Sequence, residues 1–147
     1  MPQSGTASID VPYEKRELTA VSYKNGKEIK RSSLCTVGVP EKIKAVPEKT
    51  LINADNRDLC YIELYVIDKS GNRVPYAENE LNCICDGGEL LCVFSGNPAN
   101  EDSYNSEKCH AFEGRAIAVV RAKDAGSINL TVGSKGLNSD TVNICAK

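Results

Sequence analysis

The chain has 147 residues, which is enough for one ordinary domain with its own core, or for one domain and part of another. Its 18 basic and 20 acidic residues give a net charge of −2, and the basic residues are scattered, so neither nucleic acid nor an anionic membrane is an expected partner. No run approaches the roughly 18 apolar residues of a membrane-spanning helix, and residues 1–10 lack the basic and apolar regions of a secretion signal.

The first predicted element is a β-hairpin near the N-terminus. Residues 18–23 and 27–36 are strand-like and flank Asn25-Gly26, a pair that accepts the positive φ angles of a type I′ turn. A lone hairpin is marginally stable in water, and the segment 37–40 after it, Val-Gly-Val-Pro, is a breaker. We therefore predict two parts: residues 1–39, the tail and hairpin that end a preceding β-domain, and residues 40–147, a second domain.

The second part alternates apolar and polar residues in short runs that Gly, Pro, Asn and Asp separate. Such alternation is typical of sheets with one buried face. The runs 81–85 and 89–94 flank Asp86-Gly87-Gly88 and are predicted to pair as a hairpin. About seven strands over about a hundred residues predict an all-β fold, an immunoglobulin-like β-sandwich. The predicted strands are residues 42–46, 59–68, 81–85, 89–94, 116–122, 127–133 and 141–146.

The seven cysteines are odd in number and irregularly spaced, so a complete disulfide framework is impossible. Several lie in apolar strands, where a free cysteine behaves as a small hydrophobe. We therefore expect the thiols to be reduced, and reduced thiols favour a cytoplasmic location. A metal site built from Cys83, Cys85, Cys92 or Cys109-His110 is the rival interpretation. Zinc ribbons and fingers separate paired cysteines by about two residues, whereas one residue separates Cys83 from Cys85. No metal and no cofactor are therefore predicted.

The sequence does not predict a catalytic centre. Its acidic residues fall mostly in turns or on the polar sides of strands. A sugar-cleaving pair of carboxylates needs a rigid scaffold, often a barrel of about 250 residues, which this chain cannot build. Cys109 and His110 are adjacent, and neighbours in a strand point to opposite faces, so they cannot act as nucleophile and base.

The most distinctive segment is the connection 95–112, which has no apolar period. Connections of this length are usually functional or interfacial. Tyr104 in this loop and Tyr76 in an earlier polar segment are candidates for stacking on a sugar ring, although such tyrosines more often anchor loops. The candidate interface or sugar-contact residues are Asn97, Asn100, Glu101, Asp102, Tyr104 and Tyr76.

A family resemblance rests on several short segments and on their order. Taken together they resemble the C-terminal module of bacterial glycoside hydrolase family 2 enzymes of the β-galactosidase type. The hairpin, with residues 11–14 and 23–28, is similar to the end of the β-domain that precedes that module. The segments are Ser95-Gly96-Asn97-Pro98, Glu101-Asp102-Ser103-Tyr104, and residues 111–121, 125–132, 136–137, 51–55 and 66–75.

The resemblance implies a non-catalytic accessory domain with a structural, interdomain packing role in carbohydrate degradation. Its implied partners are the remaining domains of a parent hydrolase, which hold the barrel and both catalytic glutamates. No part of this sequence is similar to that barrel, so no catalytic residue is carried over. The module is also similar to the immunoglobulin-like repeats of bacterial adhesins, and a carbohydrate- or surface-binding module is the alternative function.

Overall fold

The computed structural model describes residues 8–12 and 14–147. Within these ranges the chain forms eleven β-strands and no helix, which confirms the all-β class and leaves no helix suited to crossing a membrane. It divides into two compact units, one ending at Thr36 and the other beginning at Val37. The strands are β1 (Glu17–Lys24), β2 (Lys27–Cys35), β3 (Lys42–Pro47), β4 (Leu51–Ile52), β5 (Leu59–Ile67), β6 (Glu80–Asp86), β7 (Glu89–Phe94), β8 (Lys108–His110), β9 (Arg115–Arg121), β10 (Gly126–Ser134) and β11 (Leu137–Ala146).

The first unit is the predicted hairpin of β1 and β2, which pair antiparallel. Asn25 and Gly26 have φ angles of 52° and 74°, the positive values that a type I′ turn requires. Two strands cannot enclose a core, so most side chains of this unit are exposed, including those of Leu18 and Leu34.

The second unit is a β-sandwich, as predicted. Its front sheet has the strand order β7-β9-β5-β3, and its back sheet has the order β11-β10-β6-β8, with β4 beside β11. Lys42 of β3 pairs in parallel with Asn138 of β11, and the Asp140 carboxylate accepts a hydrogen bond from the Ala45 N–H at 2.9 Å. These contacts join one edge of the front sheet to one edge of the back sheet.

The core lies between the two sheets and consists of the alternate residues that the period-two pattern marks as inward. Each predicted strand corresponds to an observed one, with ends that differ by at most four residues. The sequence pattern does not predict β4 and β8, because two or three residues hold too little alternation. The inward residues include Cys60, Ile62, Leu64 and Val66 of β5, Ala116, Ala118 and Val120 of β9, Leu81 and Cys83 of β6, Ile128, Leu130 and Val132 of β10, and Ile144 of β11.

The predicted hairpin of residues 81–85 and 89–94 is wrong. β6 pairs with β10 and β8 in the back sheet, whereas β7 pairs with β9 in the front sheet. The chain crosses between the sheets at Gly87-Gly88. Gly87 has a φ of 77°, and a Cβ there would lie 2.1 Å from the carbonyl oxygen of Ser127. Glycine is needed here because the backbone passes close to β10. The Gly-Gly sequence alone does not distinguish this crossing from a hairpin turn.

The turn after β5 is built around the buried side chain of Asp68, which is 3% exposed. Its carboxylate accepts hydrogen bonds from the backbone N–H groups of Gly38 at 2.8 Å, Ser70 at 2.9 Å and Asn72 at 2.9 Å. The Tyr76 hydroxyl donates to the Gly38 carbonyl oxygen at 2.8 Å. Asp68 and Tyr76 therefore hold the segment that enters the sandwich against the end of β5.

We expect this turn to make the sandwich acid-sensitive. The N–H groups of Gly38 and then Asn72 hold the pKa of Asp68 below its usual value, because they donate to the charged form. Since the folded pKa is the lower one, the stabilisation is complete above the unfolded pKa of about 4 and is lost as pH falls through the folded pKa. Asp68→Asn should lower the Tm at pH 7 and flatten its decline between about pH 5 and pH 3, as circular dichroism melts would show.

The matched control for that experiment is Asp124→Asn, at an exposed position between β9 and β10. It should leave the Tm and its pH dependence unchanged. If Asp68→Asn lost stability on acidification as steeply as the unmodified chain, the carboxylate of Asp68 would not be the responsible group.

Candidate functional site

The distinctive loop runs from Ser95 to Glu107, shorter than the predicted connection 95–112, because Lys108–His110 pair with β6 as β8. It lies at the end of the sandwich where β5 and β7 finish. Near the start of β9, Ile117 pairs with Phe94 of β7 and Arg115 pairs with Tyr65 of β5. The Tyr76 segment, which follows β5, emerges at the same end.

Two of the predicted site residues shape the loop itself. The Asn97 side-chain oxygen accepts a hydrogen bond from the Ala99 N–H at 2.9 Å, and that of Asn100 accepts from the Asp102 N–H at 3.1 Å. These are Asx turns, in which a side chain imitates a backbone turn. Glu101, which lies between Asn100 and Asp102, is exposed. The amide oxygens of both asparagines are therefore already engaged in the fold of the loop.

Asp102 closes the loop against β8. Its carboxylate accepts a hydrogen bond from the backbone N–H of His110 at 2.6 Å, and it lies 3.0 Å from Nδ1 of the same residue. The backbone N–H of His110, followed by its ring, holds the pKa of Asp102 below its usual value. Cys109 is buried and His110 is exposed, so the two side chains lie on opposite faces of β8.

The two predicted tyrosines are exposed but also contact the protein. The ring of Tyr104 pairs with that of Phe94, with centroids 6.2 Å apart at an interplanar angle of 58°. Tyr76 donates its hydroxyl to Gly38. No aromatic pair joins Tyr76 to Tyr104 in the described part of the chain. Each tyrosine therefore fastens a different loop, and each leaves an exposed ring at the same end of the sandwich.

Of the cysteines in the rival metal interpretation, Cys92 lies in the front sheet, whereas Cys83, Cys85 and Cys109 lie on the neighbouring strands β6 and β8 of the back sheet. Cys83 and Cys109 are buried in the core, whereas Cys92 lies on the outward side of the front sheet. Burial raises the pKa of Cys83 and that of Cys109 to about 12, which disfavours the thiolate that a metal would bind. Within residues 8–12 and 14–147, no three His, Cys, Asp or Glu side chains are grouped to hold a metal.

An open depression on the outward side of the front sheet contains two glutamates, Glu48 and Glu63. Glu63 is exposed and accepts a hydrogen bond from the Tyr65 hydroxyl at 2.6 Å. Apolar side chains from three strands complete the depression, which is a sheet surface. The lining residues are Val46, Pro47, Glu48, Tyr61, Glu63 and Ile117.

The outward side of the front sheet is largely apolar, which the period-two pattern did not predict. We call this surface the front face and define it by Val46, Tyr61, Cys92, Phe94, Ile117 and Val119. The sequence contains a signal for this: every residue in 90–94 and 116–120 is apolar, at the outward positions as well as at the inward ones. Continuous apolar runs are typical of strands that are covered on both sides.

The family model described as glycoside hydrolase family 2 C-terminal domain 5 matches residues 43–143, nearly the whole sandwich. This chain belongs to that family. The glycoside hydrolase family 2 domain is also 31% identical over 139 residues to the beta-galactosidase BoGH2A of Bacteroides ovatus, an alignment that covers 93% of this chain and 16% of the relative. The resemblance inferred from the ordered segments is thereby confirmed.

Solved structures of the same family share the fold of this domain. A glycosyl hydrolase family 2 member from Bacteroides cellulosilyticus matches with a TM-score of 0.88 and 32% identity, over 93% of this chain and 18% of that chain. A beta-glycosidase from Bacteroides vulgatus matches with a TM-score of 0.87 and 28% identity, over 92% of this chain and 18% of that chain. The chain thus spans less than a fifth of these larger relatives.

Proposed function

We propose that this chain is a non-catalytic accessory domain of a larger glycoside hydrolase of the β-galactosidase type, in which it packs against the other domains and stabilises them. The observation that carries the proposal is the family match over residues 43–143, in relatives of which the chain covers only 16% to 18%. The match also favours this interpretation over an adhesin-type binding module.

The placement of the carboxylates supports a non-catalytic role. A glycosidase needs one carboxylic acid with a raised pKa opposite a second carboxylate, in a site that encloses the sugar. Asp68 and Asp102 have lowered pKa values because backbone N–H groups donate to them. Glu48 and Glu63 share an open depression that does not enclose a sugar, and the Glu63 carboxylate already accepts a hydrogen bond from the Tyr65 hydroxyl.

Residues 1–39 are, in this proposal, the end of the preceding β-domain of the same hydrolase. The hairpin exposes Leu18, Ile29 and Leu34, although two strands alone are marginally stable. Both outer edges of the hairpin can accept a further strand, so an upstream sheet would stabilise it. We include a cytoplasmic location in the proposal, which the seven free cysteines support.

The loop end of the sandwich is, in the same proposal, a contact with the parent enzyme and not an autonomous sugar site. Three of its polar side chains are engaged in the fold of the loop, and its two tyrosines fasten loops. The exposed ring faces and Glu101 remain available for a neighbouring domain. The proposed contact residues are Asn97, Asn100, Glu101, Asp102, Tyr104 and Tyr76.

The proposal predicts that the 147-residue chain alone does not hydrolyse a chromogenic aryl β-galactoside. Expression of the same reading frame with its upstream coding sequence should yield the hydrolase activity, because the catalytic glutamates are proposed to lie there. Hydrolysis by the 147-residue chain that is lost in Glu48→Gln or Glu63→Gln would assign catalysis to the depression and refute the proposal. An upstream frame that encodes no hydrolase domain would also refute it.

A further inference from the structure

We propose that the front face is the surface through which this domain docks onto a neighbouring domain of its own polypeptide. This inference rests on the proposed function and identifies which outward side of the sandwich the neighbouring domain covers. The partner surface is expected to be apolar at its centre and to carry carboxylates at one margin.

The apolar residues of the front face lie in two rows, the second of which is interrupted by Glu63. In the first row Val119 of β9 lies between Tyr61 of β5 and Cys92 of β7. Although Val119 points outward, it is only 4% exposed, because its neighbours pack around it. In the second row Ile117 of β9 lies beside Phe94 of β7, against which Tyr104 packs from the loop.

Val46 of β3 extends the second row beyond Glu63, with which it pairs. Glu63 lies between Ile117 and Val46, and Glu48 lines the same depression. The Tyr65 hydroxyl donates to the Glu63 carboxylate at 2.6 Å. A carboxylate that already has an internal donor costs less to cover than one that relies on water. The Glu63 carboxylate therefore keeps one hydrogen-bond donor when the surface from Cys92 to Val46 is covered.

The outward side of the back sheet is mostly polar along β10 and β11, although Ile84 of β6 is exposed there. The hydroxyls of Thr131 and Thr141 are hydrogen-bonded to each other at 2.9 Å, and the Asn143 amide donates to Asn129 at 2.8 Å and also to Ser127. A ladder of polar side chains that satisfy one another suits contact with water. Of the two outward sides of the sandwich, the front face is thus the one whose composition favours a protein partner.

Charged residues border the front face at one margin. Lys44 of β3, Tyr65 of β5 and Arg115 of β9 form the next row, and Lys44 and Arg115 are exposed. Neither forms an ion pair within the described residues. An apolar centre with a charged rim is the usual anatomy of an interface. The two unpaired cations predict carboxylates opposite them on the partner.

The occupant is assigned to the same polypeptide because the family relatives are long chains. The present domain covers 16% of the beta-galactosidase and 18% of the two solved glycosidases. Domains that are joined covalently meet at effective concentrations in the millimolar range, roughly, which a second copy in solution does not reach. A neighbouring domain therefore outcompetes self-association for the same surface.

Cys92 provides a native reporter for the test, and Cys145 on the back sheet provides its control. Both thiols are labelled with N-ethylmaleimide in the 147-residue chain and in the protein from the complete reading frame, and peptide masses give the rate at each site. Docking should slow the labelling of Cys92 by about tenfold or more in the complete protein, because thiol reactivity requires access, while Cys145 changes by less than about twofold. An unchanged rate at Cys92 overturns the inference.

The labelling experiment separates the two proposals. If the complete protein hydrolyses its galactoside while Cys92 reacts freely, docking through the front face is refuted and the accessory role is not. A complete reading frame without hydrolase activity refutes the accessory role, whatever the labelling shows. Protection of Cys92 that already occurs in the 147-residue chain and disappears on dilution would identify a second copy as the occupant and overturn the inference.

A pair of surface variants gives an independent measurement. Tyr61 is 46% exposed on the front face, and Ile84 is 54% exposed on the back sheet, and both lie in strands with neighbours on either side. Tyr61→Ser should speed thermal inactivation of the complete hydrolase by about fivefold or more, since tyrosines at interface centres contribute strongly to binding. Ile84→Ser should not. Equal effects of the two variants would contradict docking through the front face.

Discussion

Leu130→Ala should lower the free energy of unfolding by about 3 kcal/mol, because it truncates a fully buried leucine. Leu130 is fully buried in β10 and faces the core between the sheets. The truncation removes apolar contacts from the interior and leaves a cavity that the surrounding strands can close only in part. A domain of this size is stable by roughly 5 to 15 kcal/mol, so the loss is a large fraction of the total.

Urea unfolding of the 147-residue chain, followed by circular dichroism, measures this loss. Leu51→Ala is the matched control, because Leu51 is also a leucine of the sandwich but its side chain is exposed at β4. It should cost about 1 kcal/mol or less, since little apolar surface is removed from the interior. Equal losses for the two variants would show that the core does not lie where the structure has it.

Gly87→Ala should destabilise the sandwich by about 3 kcal/mol or more, because two penalties combine at this crossing. The φ of 77° is unfavourable for any residue with a Cβ. In addition, the new Cβ would lie 2.1 Å from the Ser127 carbonyl oxygen, so the backbone of β10 would have to move. Neighbouring Gly88 faces Ile128 of the same strand, so the turn has little room to shift.

Gly71→Ala separates the two penalties. Gly71 has a φ of 87°, but an added Cβ would meet nothing within 4 Å. This variant should therefore cost only the strain of the left-handed backbone, about 1 kcal/mol. Both variants are measured by urea unfolding and by yield of folded protein. If Gly87→Ala were no more harmful than Gly71→Ala, the close approach to β10 would not be what requires glycine.

The extent of the candidate loop was largely predicted from the sequence, but its internal contacts were not. The connection after β7 is conspicuous because it lacks an apolar period, and the structure confines it to residues 95–107. The pairing of Tyr76 with Gly38 spans 38 positions of the chain, and that of Asp102 with His110 depends on how β8 joins β6. Contacts of this kind follow from the closed fold, so no local pattern predicts them.

The amino-acid sequence by itself determined every strand except β4 and β8, together with the inward residues of the longer strands. A pleated strand sends successive side chains to opposite sides, and the alternation of β5 or β10 records that directly. The tertiary structure decided which strands are neighbours. Gly87 and Gly88 fit a hairpin turn and a crossing between sheets equally well, and only the position of β10 distinguishes the two. The tertiary structure also decided that the outward apolar residues of β7 and β9 form one surface. Strands that are distant in sequence have to be placed side by side before their outward side chains can meet.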